Sequence, residues 1–382
     1  MVVGTKIWGV EILASGLQSK LLQQVTEFAA IAGEAAALAD ETGHIEQRVW
    51  SSLHDSALLL APFAPALGGA GLGLRGQEAT LCSILRLLGG ADLSLARLFE
   101  GHVNAVMLVS RYGTPDQIEA LAGSVRIGGM SGVWGAEDAV GLQRTPSGDA
   151  WVLQGRKILA SGAGAIAHPL ITLSTSDGQI LYLLDLGKDQ QAEPDSWSPL
   201  GMRASASGTI DLSGIVVGIR EQIGAIGDYM RQPFFSAGAW RYCAAQLGAM
   251  ERLLTLYCDH LRTRGRDGDP YQLERVARCT AACATTLYWV EEASRRFADE
   301  SLEPAGVVAY VNLTRMVTEQ AALEVLACVQ RGVGLAGFLR PSPIERISRD
   351  LSTYLRQPVP DLAMSDAARA VLAGTLLIGA TS

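Results

Sequence analysis

The stretch Gly201-Met202-Arg203-Ala204-Ser205-Ala206-Ser207-Gly208-Thr209-Ile210-Asp211-Leu212 decides how this chain is read. Small and hydroxyl-bearing residues surround a single arginine, and the run leads into residues 209–217, where apolar side chains recur with a period of two. That period marks a strand, so the run is a specified turn feeding a strand and not an accidental loop.

Working outward, the same period holds from about residue 128 to 224. Trp151-Val152-Leu153-Gln154-Gly155-Arg156-Lys157-Ile158 alternates as one strand, and the apolar runs 170–173 and 180–184 face each other across Asp177-Gly178, a hairpin signal. On either side the pattern becomes helical. Residues 18–40, 46–60 and 77–88 carry helical spacing, with Leu67-Gly68-Gly69-Ala70-Gly71-Leu72-Gly73 between the last two. No strand precedes that glycine run and no Gly-Lys-Ser/Thr follows it, so it reads as an interhelical loop and not a phosphate cradle. Beyond Pro233, Trp240, Cys243, Leu247, Met250, Leu254, Tyr257 and Leu261 make one apolar helical stripe. Residues 271–299 and 304–329 read as two more long helices, with Pro304 suited to a first turn, and a final helix is expected from Ser365 as N-cap with Asp366 behind it. The expected class is α+β: an N-terminal helical domain (1–124), a middle β-barrel or sheet domain (125–228) and a C-terminal antiparallel helical bundle (229–382).

A chain of 382 residues exceeds one ordinary core. Its net charge of −8 argues against a nucleic-acid surface. No run of about 18 uninterrupted apolar residues appears, so no membrane span is expected. The first residues lack the basic and long apolar blocks of a signal peptide, and a cytoplasmic location is expected. Cys82, Cys243, Cys258, Cys279, Cys283 and Cys328 are scattered through apolar segments and read as reduced core thiols; no metal site is expected.

The order of helices, β unit and bundle, together with the Gly201 run, resembles the acyl-CoA dehydrogenase family. Gly68-Gly69-Ala70-Gly71, Asp92-Leu93-Ser94, His102, Arg111-Tyr112-Gly113-Thr114-Pro115-Asp116-Gln117 and Pro343-Ile344-Glu345-Arg346-Ile347-Ser348-Arg349-Asp350 are similar to family signatures in order and spacing. The resemblance implies FAD. It places Lys157 on a family lysine, Leu159 on an aromatic position facing the flavin, and Ser161 on the hydroxyl that hydrogen-bonds near flavin N5. Arg264, in Arg264-Gly265-Arg266-Asp267-Gly268, is similar to the arginine that binds the FAD pyrophosphate across a subunit interface, a role suited to a guanidinium fork. Asp267 departs from that motif. Arg331, Gly334 and Gly337 fall where the family brings glutamine and glycine backbone to the adenosine diphosphate. The resemblance further implies a homo-oligomer (dimer or tetramer), a small-molecule acyl substrate such as a CoA thioester, and an electron acceptor or flavin reductase as partner.

The chemistry departs from the family. A dehydrogenase needs a carboxylate to take the substrate α-proton, yet Pro358 stands at the usual base position and Trp240, beside Arg241, at the alternative one. Residues 132–141 also differ from the family loop. Trp134 and Trp240 are therefore expected to line the substrate site, and Asp361 and Glu100 are the candidate replacement bases. The expected function is an FAD-dependent oxidoreductase of acyl-CoA dehydrogenase type; the alternatives are a flavin monooxygenase of the same fold using reduced flavin, or a catalytically degenerate flavin-binding member.

Overall fold

A computed structural model describes residues 3–7, 10–14, 17–187, 191–356 and 358–376, with backbone alone before residue 20. Ahead of the first helix lies an antiparallel hairpin, β1 (Val3–Ile7) and β2 (Val10–Ala14), in a segment that the sequence reading assigned to the helical domain. Its β-branched residues at alternate positions favour strand, but each run is only five residues long. Helices α1 (Leu17–Thr42), α2 (Gln47–Asp55), α3 (Glu78–Ala91), α4 (Leu93–Tyr112) and α5 (Pro115–Arg126) follow. The Asp92 side chain caps α4 by accepting from Leu95 N at 3.1 Å. Thr114 and Gln117 form a capping box with Pro115 in the first turn, which explains the Thr-Pro-Asp-Gln spelling at α5.

The middle third contains β3 (Ser131–Trp134), β4 (Gln143–Ser147), β5 (Ala150–Gln154), β6 (Arg156–Ala160), β7 (His168–Thr175), β8 (Gly178–Leu183), β9 (Gly208–Asp211), β10 (Val216–Val217) and β11 (Gln222–Ile223). They form three sheets, ordered β10-β5-β4, β11-β8-β7-β3 and β6-β9, in which only β3 and β7 run parallel. Residues 151–158 are two strands in different sheets, broken at Gly155, and not one. Residues 209–217 are likewise divided into β9 and β10. The β7–β8 hairpin closes at Thr175 and Gly178, so its central residues are Ser176 and Asp177, one step before the expected pair.

The last third comprises α6 (Trp240–Thr263), α7 (Pro270–Ala298), α8 (Pro304–Val333), α9 (Pro343–Tyr354) and α10 (Pro360–Leu372). The final helix starts five residues before the expected N-cap: Pro360 occupies the first turn, and Ser365 lies inside the helix with its hydroxyl on Asp361 O at 2.9 Å. The segment Pro304–Phe338 is apolar and long enough to cross a membrane by length and composition, although Arg315, Glu319, Glu324 and Arg331 interrupt its apolar runs. In the fold, α8 packs against α6, α7 and α10. The first and last thirds are joined where α3 crosses α6. A Cβ on Gly89 would lie 2.0 Å from Ala245 O, and one on Gly248 2.0 Å from Arg86 O, so the two helices touch backbone to backbone at a pair of glycines.

Candidate functional site

The Gly201 run is pressed onto α9. A Cβ at Gly201 would sit 2.3 Å from the Arg349 carbonyl, so only glycine fits. Gly201 N donates to Thr353 Oγ1 (3.0 Å) and Met202 N to Asp350 Oδ1 (2.6 Å). Burial pushes the Asp350 carboxyl up to about 7, against the lowering effect of Arg346. Met202 (φ 59°) and Ala206 (φ 43°) flank a 3-10 turn, Arg203–Ser205, in the left-handed region, a conformation that non-glycine residues hold only when their surroundings impose it.

That turn delivers a hydroxyl chain. Ser205 Oγ donates to Met202 O (2.8 Å), Ser205 and Ser207 hydroxyls are 2.8 Å apart, and Ser207 is 2.9 Å from Ser161. Each hydroxyl has one proton. With the Ser205 proton committed to a carbonyl, Ser207 must donate to Ser205 and Ser161 to Ser207. The half-buried Ser161 hydroxyl therefore keeps only lone pairs for a ligand. Beside it, Leu159 is 58% exposed with φ 52° at a register shift between β6 and β9, a strained and outward apolar residue. Trp134 is placed otherwise: its indole is buried and donates to Ser161 O at 3.0 Å, holding the serine turn. Lys157 is fully buried; its Nζ donates to Glu137 Oε1 (2.5 Å) and Thr172 Oγ1 (3.2 Å), which ties down the altered 132–141 loop. Desolvation lowers its pKa.

A second cluster lies along α4. Glu100 accepts from Arg97 Nη1 at 2.6 Å and from Arg241 Nε at 3.4 Å, with the Glu100 side chain 6% exposed. Arg241 also donates to Asn104 Oδ1 (2.7 Å), while among the described residues its Nη1 meets only the Met107 sulfur at 3.7 Å. Residues 97, 100, 104 and 107 share one face of the helix. Asn104 and Met107 of this face line a cavity of about 590 Å³, closed by Leu72, Phe234, Phe297, Trp240 and Arg241; Arg97 and Glu100 lie behind Arg241, outside the lining. Trp240 is 2% exposed, and its Nε1 has no hydrogen-bond partner among the described residues. The serine turn lies toward the α4 N-terminus: a Cβ on Gly162 would come within 3.1 Å of Leu98. Less than two turns of α4, roughly 9 Å from Leu98 to Asn104, separate it from the cavity.

The other sequence candidates fall elsewhere. His102 is buried, Nε2 donating to Leu59 O (2.7 Å) and Nδ1 accepting from Ser131 N (3.1 Å); burial lowers its pKa to about 4. Both ring nitrogens are spent on joining α4 to β3 and the turn before the glycine loop. Asp361 is exposed in the first turn of α10, and the Pro358 carbonyl is held by Arg315 Nη2 at 2.7 Å. Arg264 and Arg331 are exposed. They share one end of the bundle with Gly334 and Gly337, since Tyr257 of α6, hydrogen-bonded to Gln272 of α7, abuts Gly332 of α8. Ser161 and Leu159 thus form one group and Arg264, Arg331, Gly334 and Gly337 another. No group of metal-binding side chains occurs among the described residues. Sequence reasoning missed Arg97, Ser205 and Ser207, although Arg97 precedes Glu100 at helical spacing and both serines lie in the deciding run.

The Ser161 hydroxyl and outward Leu159 thus present an acceptor beside an apolar surface, while exposed Arg264 and Arg331 and the open Gly334 backbone (φ 72°, with no atom within 4 Å of a Cβ there) present donors at one end of the bundle. Residues 16–125 match the acyl-CoA dehydrogenase N-terminal domain and residues 228–355 the acyl-CoA dehydrogenase C-terminal domain. The chain belongs to the acyl-CoA dehydrogenase family and has its flavoenzyme fold. Among solved structures it is similar to FMN-bound TdsC from Paenibacillus sp. A11-2 (18% identity over 94% of this chain and 99% of that one, TM-score 0.82). It is also similar to KijD3 in complex with FMN and dTDP-3-amino-2,3,6-trideoxy-4-keto-3-methyl-D-glucose (19%, 96% and 96%, TM-score 0.82), and to methanesulfinate monooxygenase MsuC from Pseudomonas fluorescens (17%, 94% and 98%, TM-score 0.80). No curated protein matches it by sequence.

Proposed function

We propose that the chain is a flavin-dependent oxygenase that receives reduced flavin from a separate reductase and acts on a small molecule. When bound, reduced flavin supplies two electrons, and dioxygen supplies one atom to the substrate and one to water. The state of the carboxylates carries this reading. Desaturation of an acyl thioester needs a free proton acceptor at the α-carbon. Glu100 is clamped between two guanidiniums, Asp361 is exposed to solvent, and Pro358 and Trp240 have no proton-accepting group. Oxygenation needs no such base.

The direction of the serine chain supports the same reading. Ser161 offers lone pairs outward, so it can accept from an N–H such as reduced flavin carries at N5, whereas a bare ring nitrogen would meet lone pair with lone pair. Of the structurally similar proteins, TdsC is described as a dibenzothiophene monooxygenase and MsuC as a methanesulfinate monooxygenase. FAD belongs to the proposal as the flavin whose diphosphate Arg264 and Arg331 would neutralise, in a cytoplasmic homo-oligomer; FMN would leave those arginines without a role.

The test has two arms. Under air, with a flavin reductase and NADH, the protein should couple oxygen uptake to substrate oxidation. Under argon, a panel of acyl-CoA thioesters should leave protein-bound oxidised flavin unbleached. Bleaching by any thioester would overturn the proposal and restore dehydrogenation.

A further inference from the structure

The cavity beside α4 is mainly apolar, yet its inner end is rich in donors. Among the described residues, Trp240 Nε1 is buried without an acceptor, and Arg241 Nη1 faces only a thioether sulfur, a weak acceptor. Unsatisfied buried donors of this kind are costly and uncommon. Both residues open α6, whose N-terminal end adds partial positive charge.

The charge balance points the same way. Arg97 and Arg241 share the single carboxylate of Glu100. Burial raises the pKa of the neighbouring Tyr242 and Tyr354 phenols and pushes the Cys243 thiol up to about 12, so these groups add no negative charge. The cluster thus sets two guanidiniums against one carboxylate, with the Arg97 side chain 31% exposed and able to be solvated but that of Arg241 only 3% exposed, where an incompletely paired ion is unfavourable. At the mouth, Arg75 and Arg111 already pair with Asp299 and Glu300, and the half-buried Glu78 accepts from Gly76 N. The excess is confined to the inner end.

We propose that this cavity binds an organic monoanion with an apolar body, its oxyanion head accepting from Trp240 Nε1 and Arg241 Nη1. A volume of about 590 Å³ suits a small hydrophobic molecule. The inference deepens the functional reading, on which it rests in taking this ligand to be the substrate.

The test is calorimetric titration of the purified full-length chain with 4-phenylbutyrate and with its neutral isostere 4-phenylbutyramide. The acid should bind about tenfold more tightly than the amide, as a charge-assisted pair requires. Trp240→Phe, which leaves the ion cluster intact, should weaken the acid about fivefold. Glu100→Gln should tighten the acid and leave the amide unchanged. Equal affinity for acid and amide, no binding of the acid, or an acid affinity indifferent to Trp240→Phe would each overturn the proposal. Flavin uptake is measured separately: a chain that takes up flavin but fails these titrations refutes the substrate class alone, and one that binds the acid but takes up no flavin refutes the functional reading alone.

Discussion

Replacing Glu100 by Gln separates a structural carboxylate from a catalytic one. Glu100 holds Arg97 at 2.6 Å and Arg241 at 3.4 Å, and the Arg241 side chain is 3% exposed. Removing one partner of a buried ion pair costs about 3–5 kcal/mol, because the other charge stays behind. The amide keeps one acceptor oxygen, so the low end, about 3 kcal/mol, applies. At about 2.1 cal/mol/K of unfolding entropy per residue, a chain of 382 residues carries about 0.8 kcal/mol/K, and cooperative unfolding of the whole would lower Tm by about 4 °C. Scanning calorimetry at pH 7 and low salt measures this. Adding Arg241→Gln to the variant should return part of the loss, since it removes one of the two orphaned charges. If instead Glu100→Gln melts with the wild type while turnover and the acidic limb of its pH profile vanish, Glu100 is a free base and the argument against dehydrogenation fails.

Ser161→Ala removes the hydroxyl but not the carbonyl that accepts from Trp134, so the turn should persist while flavin binds about fivefold more weakly by fluorescence titration. Asp361→Asn should leave turnover within about twofold, because the side chain is exposed; a loss of about a thousandfold would make Asp361 the base. The pH dependence has two opposed parts. His102 titrates near 4 when folded against about 6.5 unfolded, so its contribution is present above 6.5 and lost as pH falls toward 4. Asp350 has the opposite sign: with its folded pKa raised to about 7, its contribution is present below the ordinary carboxylate range and lost as pH rises to 7. Urea unfolding of wild type and Asp350→Asn should therefore diverge in the variant's favour, by up to about 1.4 kcal/mol per pH unit between pH 4 and 7; a constant difference would refute the assignment.

What the sequence revealed was local. The stripe from Trp240 to Leu261 appears as α6 because residues three and four apart share a face. The Gly201 run was legible because its glycine and its small residues answer a close approach to α9. The rest depends on pairs far apart in sequence. Ser161 and Ser207 are 46 positions apart, and Glu100 and Arg241 are 141 apart. No periodicity joins them, so Glu100 reads as a candidate base until its partners are seen. Gly89 and Gly248 each look like a weakness within a helix, and only their crossing explains them. The strand break at Gly155 and the helix start at Pro360 were hidden because alternation runs through the first and a serine five residues downstream imitates a cap at the second.

The departures from the family pattern, read together, form one change in chemistry. A dehydrogenating site must hold an acceptor for the α-proton near the reacting carbon. Here the alternative base position carries an indole N–H, the neighbouring carboxylate is consumed by two guanidiniums, and the usual base position presents a proline whose carbonyl is already bonded to Arg315. Each replacement removes a proton acceptor, and at Trp240, beside Arg241, a donor stands in its place. Such a site can attract and orient an anion, and none of Glu100, Trp240 and Pro358 is a free proton acceptor. Ser161 presents an outward acceptor at the position that the family resemblance assigns to the flavin, and the hydroxyl chain holds its proton inward. An N–H donor is the partner that such an oxygen fits, and the proton it binds is one it does not have to remove.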